Sequence, residues 1–193
     1  VTQATSLTVR AGAVIEELGP ERVLHLEMNE AAGATTFVDT SLAAQGPHNG
    51  SCAGSTCPTA NDAYLDFDAN DQIVVPDSNS SDFDFTSFSV NASVSFDDYA
   101  NGMTVIAKGN TFQIKVATLK VIGTVYLADC TTAVDLDPGQ FPYPNMWMNV
   151  TLTHDGTTAK MYINGVEKAS APAASICLDN SNILVGNSIF DGL

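Results

Sequence analysis

The sequence predicts an all-β protein, folded as an antiparallel β-sandwich. Three observations support this fold class. The chain contains 16 Asp but only 6 Glu, and Asp, like the abundant Asn, Ser and Gly, is disfavoured inside helices. Residues 88–96 alternate strictly between apolar and polar side chains, which is typical of a strand with one buried face. Further strand candidates recur along the 193 residues, with turn residues between them.

The strand candidates are short segments rich in β-branched and aromatic residues, and turn residues bound each of them. Their number, about a dozen, and the lack of a convincing helix predict a sandwich. In chain order they include 7–9, 23–28, 63–67, 72–75, 88–96, 103–108, 112–116, 120–127 and 183–185, and 35–38 is a shorter candidate.

Residues 147–171 predict a three-stranded antiparallel meander. Met148, Val150 and Leu152 alternate with polar residues, as in a strand with two different faces. Asp-Gly at 155–156 and Asn-Gly at 164–165 then mark two hairpin turns, because type I′ turns require positive φ at both central residues. The second and third strands of the meander are 160–163 and 166–171.

Two long segments, 29–61 and 129–145, are rich in Gly, Pro and Asn and predict loops. A loop of this length in a compact domain usually has a function or is held by a cross-link. Residues 1–22 are less patterned, and Gly19-Pro20 marks a boundary. We therefore predict an N-terminal extension, donor strand or linker over 1–22, and a sandwich domain over 23–193.

The charge of the chain excludes several classes of partner. Lys and Arg number 7 against 22 Asp and Glu, which gives a formal net charge of −15. This charge argues against nucleic acid and against anionic membrane surfaces as partners. No apolar run approaches the roughly 20 residues of a membrane span, so we expect no membrane insertion. The chain starts at Val1 without a signal-peptide pattern, so we expect a processed chain or a piece of a longer one.

The four cysteines, at positions 52, 57, 130 and 177, match no zinc or catalytic-thiol motif. We therefore expect two disulfides formed in an oxidising compartment. Three pairings are possible in principle. Cys52 and Cys57 are near enough in sequence to pair locally, and Cys130 would then pair with Cys177.

Six segments have the order and spacing of a known set of motifs. They are VLHLEMNEAAG at 23–33, VDTS at 38–41, LDFDANDQIVV at 65–75, WMNVTLTHDG at 147–156, MYING at 161–165 and ILVG at 183–186. Together they resemble laminin-G-like domains of the concanavalin A-like lectin/glucanase superfamily over roughly residues 23–193. The resemblance implies a jelly roll with an extracellular or cell-surface location, and it implies that Trp147 is a packing residue.

The chain departs from the family pattern at its end. Family members continue beyond this point with a last strand that lies beside the first one, whereas this chain stops at Leu193. We therefore predict a sandwich that lacks its usual last strand. Residues 5–14 would complete it, either within the chain or by insertion into a neighbouring copy. The other interpretation is that Leu193 is only where this sequence ends.

The sequence predicts no catalytic residues. Glycosidases on this fold carry their paired carboxylates in an E-x-D-x-x-E strand, and none of the six Glu residues begins that pattern. Asp66 and Asp68, two residues apart, could share a face of a strand, but turn geometry explains their motif better. We therefore predict that the chain is not an enzyme.

A structural Ca²⁺ ion is the most plausible cofactor, because Asp and Asn side chains supply the oxygen ligands that Ca²⁺ prefers. The resemblance places a rim site near Asp39, and Glu30, Asn49 and Asp191 are further candidate ligands. The alternative is that these residues form Asx-turns and solvated acids.

Glycan binding would require an exposed aromatic platform beside amides or carboxylates. The candidates are Tyr99, Tyr126, Phe141 and Tyr143. N-glycosylation sequons occur at Asn49, Asn79, Asn91 and Asn149, and they matter only in a source that glycosylates proteins.

These observations predict an extracellular, non-catalytic binding or adhesion module, with a glycan or a surface protein as its partner. The alternative is a structural subunit of an extracellular filament, sheath or surface layer, in which copies of the chain bind one another by strand addition.

Overall fold

The computed structural model describes residues 22–61, 63–68, 70–78, 81–97, 102–139 and 143–186, and the backbone of residues 6–17. Its helices are two three-residue 3₁₀ turns, Gly54–Thr56 and Ser81–Phe83, and no helix in the described part has the length and apolar character to cross a membrane. The strands are β1 (Ser6–Glu17), β2 (Arg22–Leu26), β3 (Thr36–Phe37), β4 (Gly50–Ser51), β5 (Thr59–Asn61), β6 (Tyr64–Asp68), β7 (Gln72–Val75), β8 (Phe88–Phe96), β9 (Met103–Lys108), β10 (Phe112–Ala117), β11 (Lys120–Tyr126), β12 (Ala133–Leu136), β13 (Met148–His154), β14 (Thr158–Ile163), β15 (Val166–Pro172) and β16 (Ile183–Gly186).

The strands form two antiparallel sheets. Sheet A has the order β15-β14-β13-β8-β1-β6-β5, and β2 also pairs with β1. Sheet B has the order β12-β11-β10-β9-β16-β7-β4-β3. The inner faces of both sheets contribute to one hydrophobic cluster, so the prediction of an antiparallel β-sandwich is confirmed.

Strand β8 shows how the alternating pattern builds the core. Its apolar residues from Phe88 to Phe96 are fully buried at every second position, and Ser89, Asn91 and Ser93 are only partly buried on the other face. Across the core, the ring of Phe88 lies 5.0 Å from that of Phe112 on sheet B. The period-2 pattern therefore places one face of sheet A against sheet B.

The predicted meander is confirmed as β13, β14 and β15. At the second turn, Asn164 and Gly165 have φ values of 51° and 77°, as a type I′ turn requires.

The N-terminal segment is the largest difference from the sequence prediction. Instead of a short strand at 7–9, β1 extends over twelve residues. One edge of β1 pairs with β8, and the other edge pairs with β6 and then with β2. Within the structure, this segment therefore completes sheet A in its own chain. The run Ala-Gly-Ala at 11–13 interrupts the sequence pattern where the pairing with β8 is irregular.

The prediction missed three short strands inside the two predicted loops, β4, β5 and β12, whereas β3 lies within the predicted candidate 35–38. The 29–61 segment contains β3, β4 and β5, and the 129–145 segment contains β12. Each has two to four residues, which is too short for periodicity to reveal. Their pairing with longer strands, rather than local pattern, determines their conformation.

Two disulfides have the pairing expected from the sequence. Cys52 bonds to Cys57, and Cys130 bonds to Cys177. The first closes a loop of the rim segment between β4 and β5. The second joins the turn between β11 and β12 to the segment before β16, next to the bridge between Leu127 and Ile176.

Candidate ligand-binding cleft at the rim of sheet B

A polar cleft of about 440 Å³ lies at the rim of sheet B. Antiparallel strands β4 and β7 are neighbours in this sheet, so the segment that enters β4 and the segment that leaves β7 meet at the same rim. Pro47 and Pro76 form apolar walls, and amide, hydroxyl, imidazole and carboxyl groups form the rest. The lining residues are Gln45, Pro47, His48, Asn49, Pro76, Asp77 and Ser78.

His48 forms one wall of the cleft, and two neighbouring side chains hold its ring in place. Its Nε2 atom lies 3.0 Å from Oδ2 of Asp82, and its ring packs against Phe83 at a centroid distance of 4.5 Å. Only 8% of His48 is exposed. Asp82 also accepts a hydrogen bond from the backbone N–H of Gln45 at 2.8 Å. The contacts of Asp82 with His48 and Gln45 therefore connect the loop before β4 to the loop before β8.

Asp39 lies behind the cleft and is 4% exposed. Oδ1 accepts hydrogen bonds from the backbone N–H groups of His25 and Ser41, each at 2.9 Å. Oδ2 accepts them from the N–H of His48 and the hydroxyl of Ser41, each at 2.8 Å. Burial alone would raise the pKa of Asp39, but the backbone hydrogen bonds from His48, His25 and Ser41 outweigh it and hold that pKa below its usual value of 3.8.

Asp77 contributes to the floor of the cleft and pairs with a buried cation. Its Oδ2 atom lies 2.6 Å from Nζ of Lys108, and both side chains are 1% exposed. The same ammonium group donates to the backbone carbonyls of Asp179 and Ser181, at 2.5 and 3.1 Å. A carboxylate and two carbonyls therefore surround the positive charge with oxygen atoms. Gly109 permits this arrangement, because a Cβ atom there would lie 2.3 Å from Oδ2 of Asp179.

The candidate calcium ligands are only partly brought together. Asn49 lies beside Asp39, and its Oδ1 atom accepts a hydrogen bond from the Asp39 N–H at 2.9 Å. Glu30 is half-buried, burial raises its pKa, and its Oε2 atom has no hydrogen-bond partner. Asp191 lies outside the described residues. No group of three or more His, Cys, Asp or Glu side chains suited to a metal ion occurs in the part of the chain that the structure describes.

Asp39 does not fit the role of a metal ligand. A carboxylate offers about four lone-pair positions, and four donors already occupy those of Asp39. Its oxygen atoms hold three separate backbone segments together, which is the function of an internal hydrogen-bond acceptor. The calcium prediction therefore has no support from the geometry of Asp39.

The two aromatic candidates that the structure describes, Tyr126 and Tyr143, lie on different sheets. Tyr126 is half-buried at the end of β11 in sheet B, and burial raises its pKa, as does the nearby carboxylate of Asp135. Tyr143 is 55% exposed and lies beside the end of β8 in sheet A, next to the bridge of Pro144 with Phe96. Tyr99 and Phe141 lie outside the described residues.

Trp147 corrects the expectation of a packing residue, because 38% of it is exposed. The residue immediately precedes β13, where Met148 points into the core and Asn149 points outward. Trp147 has the same parity as Asn149 and faces outward with it. The period-2 pattern of the strand predicts that Trp147 faces outward, whereas the family resemblance implied that it is a packing residue.

Sequence reasoning missed most of the cleft. His48 and Asp77 were not singled out as site residues, although Pro47 and Pro76 directly precede them. Their partners Asp82 and Lys108 were not singled out either. Of the sequons, Asn49 lies in the cleft and Asn79 is outside the described residues. Asn91 and Asn149 bond to each other across strands β8 and β13, at 2.7 and 3.0 Å.

The cleft residues that the structure describes can bind a ligand through hydrogen bonds. Each of its carboxylates has a fixed partner, Lys108 for Asp77 and His48 for Asp82. A pair of carboxyl groups facing a shared substrate position, which glycoside hydrolysis requires, is not found among the described cleft residues.

A laminin G family model, described as "Concanavalin A-like lectin/glucanases superfamily", matches residues 67–192. No curated protein matches the chain. Solved structures share its fold. The binding domain of botulinum neurotoxin serotype D is 19% identical with a TM-score of 0.60, over 86% of this chain and 42% of that one. The binding domain of Paraclostridial Mosquitocidal Protein 1 is 15% identical with a TM-score of 0.54, over 90% and 44%.

A third structure is matched over most of both chains. Domain 4 of AbnA, a GH43 extracellular arabinanase from Geobacillus stearothermophilus solved in complex with arabinotriose, is 14% identical with a TM-score of 0.52, over 95% of this chain and 86% of that one. The chain spans less than half the length of the two toxin binding domains. At these identities the similarity shows the fold alone.

Proposed function

The chain belongs to the laminin G family of the concanavalin A-like lectin/glucanases superfamily, and from this premise we propose that it is a non-catalytic, extracellular module that binds uncharged oligosaccharides in the rim cleft. The observation that carries the proposal is the cleft itself. Its volume of about 440 Å³ falls in the range of small-molecule sites. Its lining offers amide, hydroxyl and imidazole groups between two proline walls.

Charge favours a neutral ligand. Lys108 balances the charge of Asp77, Asp82 lies against His48, and the chain as a whole has a formal net charge of −15. An anionic glycan would be repelled, whereas sugar hydroxyl groups can both donate and accept hydrogen bonds. A neighbour of this fold that was solved with arabinotriose supports a neutral saccharide as ligand. The two disulfides favour an oxidising, extracellular compartment.

Filling the cleft should abolish binding. We expect Ser78→Tyr to lower the affinity for neutral oligosaccharides at least about tenfold, because Ser78 lines the cleft and a phenol ring would occupy it. A neutral-glycan array followed by isothermal titration calorimetry of the best ligand measures the change.

Ser175→Tyr is the matched control. Ser175 is an exposed serine outside the cleft lining, and its φ of 56° is close to the 50° of Ser78, so backbone strain is the same in both variants. We expect this control to bind as the unmodified chain does. Binding that survives Ser78→Tyr would contradict a site in the cleft.

Calcium dependence is tested separately. We propose that Ca²⁺ does not hold the rim through Asp39, because four hydrogen bonds already saturate that carboxylate. EDTA and millimolar Ca²⁺ should then leave the melting temperature unchanged. A melting temperature that rises with Ca²⁺ would favour the calcium prediction instead, by mass action. If Glu30→Gln removed that rise, the partner-free Oε2 atom of Glu30 would be identified as a ligand.

A further inference from the structure

An exposed apolar and aromatic surface lies at the outer side of sheet A, away from the rim cleft. Tyr143, Met146 and Trp147 are 55%, 57% and 38% exposed. The ring of Tyr64 packs edge-on against Trp147, with centroids 6.0 Å apart and planes at 63°. We call these four residues the Trp147 ledge. Large exposed side chains that cluster in this way often mark a binding surface.

The ledge is fixed to the end of β8. Asn145 donates its backbone N–H to the carbonyl of Phe96 at 2.7 Å, and Trp147 directly precedes β13, the neighbour of β8. The rim cleft lies at the opposite end, because Asp82 and Phe83 come before β8 begins. Eight residue steps of about 3.3 Å separate the two ends of the strand, so the two surfaces are on the order of 26 Å apart.

Beside the ledge, β8 and β13 present neutral hydrogen-bonding side chains. Asn91 donates to Oδ1 of Asn149 at 2.7 Å and to Oγ1 of Thr151 at 2.6 Å. Asn149 donates back to Oδ1 of Asn91 at 3.0 Å. Ser93 lies next in this row and is within 3.5 Å of the Asn149 amide. The mutual bonds fix the orientation of the two amides. Oδ1 of Asn149 accepts from Asn91 and from the Thr151 hydroxyl, whereas Oδ1 of Asn91 accepts from Asn149 and can accept one further hydrogen bond.

The backbone of this surface cannot bind a partner by strand addition. Strand β8 pairs with β1 and β13, and β13 pairs with β8 and β14. Both edges of each strand are therefore already used. A ligand here can be recognised only through side chains, by stacking on the ledge and by hydrogen bonds to amides and hydroxyls.

We propose that the Trp147 ledge and the adjoining row of Asn91, Ser93 and Asn149 form a second binding surface, which takes an extended, uncharged polysaccharide chain. The electron-rich faces of Trp and Tyr attract the partly positive C–H groups of sugar rings. The ring hydroxyls match the polar row. The surface is open, so affinity must come from several adjacent sugar units, which a polymer supplies and a monosaccharide does not.

The charge of the surroundings decides between neutral and anionic polymers. In β6, Leu65 and Phe67 are buried, so Tyr64, Asp66 and Asp68 share the outer face. Asp66 accepts a hydrogen bond from Asn61 at 2.7 Å. The register places Arg10 of β1 opposite Ser93, so these carboxylates are not the only charged residues of this face. The formal net charge of −15 nevertheless disfavours a uronate or sulfated chain. A protein partner would favour an apolar interface core, which the row of amides and hydroxyls does not provide.

Affinity electrophoresis tests the proposal, with xylan, arabinan, mixed-linkage glucan and soluble cellulose derivatives as neutral probes and alginate as the anionic probe. We expect at least one neutral polymer, but not alginate, to retard the chain. Trp147→Ala should weaken that interaction at least about tenfold, and Trp147→Phe should retain most of it because it keeps a ring. The melting temperature of each variant shows whether it is folded. A comparison of the two variants therefore separates loss of the aromatic ring from loss of folding.

The test also distinguishes this surface from the rim cleft. Ser78→Tyr should leave polymer retardation unchanged, and Trp147→Ala should leave oligosaccharide binding in the cleft unchanged. Retardation that persists in Trp147→Ala would overturn the inference, as would a wild-type chain that no neutral polymer retards. The inference would also be overturned if alginate alone retarded the chain. The same holds if cross-linking of the purified components showed a protein partner that covers the ledge.

Discussion

Replacing Lys108 by Met should lower the free energy of unfolding by about 3–5 kcal/mol, because it leaves a buried carboxylate without its cation. The Lys108 ammonium lies 2.6 Å from Asp77, and both side chains are 1% exposed. Two backbone carbonyls, of Asp179 and Ser181, also lose their donor. For a domain of this size the change corresponds to a fall in melting temperature on the order of 10 °C. Urea denaturation followed by tryptophan fluorescence measures it.

The chain contains a matched control for this prediction. Lys120 contacts Asp137 at the same distance, 2.6 Å, but the two side chains are 29% and 43% exposed. Water solvates both charges when the pair is broken, so Lys120→Met should cost at most about 1 kcal/mol. Equal losses in the two variants would contradict the role assigned to burial.

A double variant identifies the cause of the loss. Asp77→Asn removes the negative charge that Lys108→Met leaves behind, so the double variant should be more stable than Lys108→Met alone. If the double variant is instead less stable by the sum of both changes, the ammonium acts mainly through its bonds to the two carbonyls. The Asp77 variants also report on the cleft, since Asp77 contributes to its floor.

The sequence predicted the β-sandwich because strands such as β8, β10 and β13 have a period-2 pattern that depends on local residues alone. It predicted only residues 7–9 of β1, the longest strand. It could not predict the Lys108 cluster in the same way. Lys108 ends a correctly predicted strand, but Asp77 is 31 residues before it and Asp179 is 71 residues after it. No local rule shows that a lysine at the end of a strand is fully buried. Only the antiparallel order β9-β16-β7 brings these segments to one rim.

The same reasoning explains why the sequence could not predict the hydrogen bonds of Asp39. Its motif resemblance marked a position of structural importance, and the sequence shows a carboxylate in a polar loop. Whether such a carboxylate binds a cation or backbone N–H groups depends on which donors the tertiary structure brings to it. His25 and His48 are 14 and 9 residues away, and neither distance is a local turn spacing.

Replacing Asp39 by Ala should lower the free energy of unfolding by about 3–4 kcal/mol, because it leaves the buried N–H groups of His25, Ser41 and His48 without an acceptor. Hydrogen bonds to a charged acceptor contribute roughly 1.5–3 kcal/mol each, and water reaching the new cavity offsets part of the loss. Asp155→Ala is the control. Asp155 accepts bonds from the N–H groups of Thr157 and Thr158, at 2.9 and 2.8 Å, at an exposed turn. Its loss should therefore lower the free energy of unfolding far less than the loss of Asp39 does.

The pH dependence of the Asp39 effect tests whether the ionised carboxylate is responsible. The folded-state pKa of Asp39 is lowered from its usual value of 3.8, so ionised Asp39 stabilises the folded chain fully above pH values of about 4, and this contribution is lost as the pH falls through the folded-state pKa. The stability difference between the unmodified chain and Asp39→Asn should therefore be constant from pH 7 to about pH 5 and should shrink as the pH falls below 4. Urea denaturation of both proteins at pH 7, 5 and 3 measures this. A difference that does not change at pH 3 would show that the charge of Asp39 contributes nothing to it.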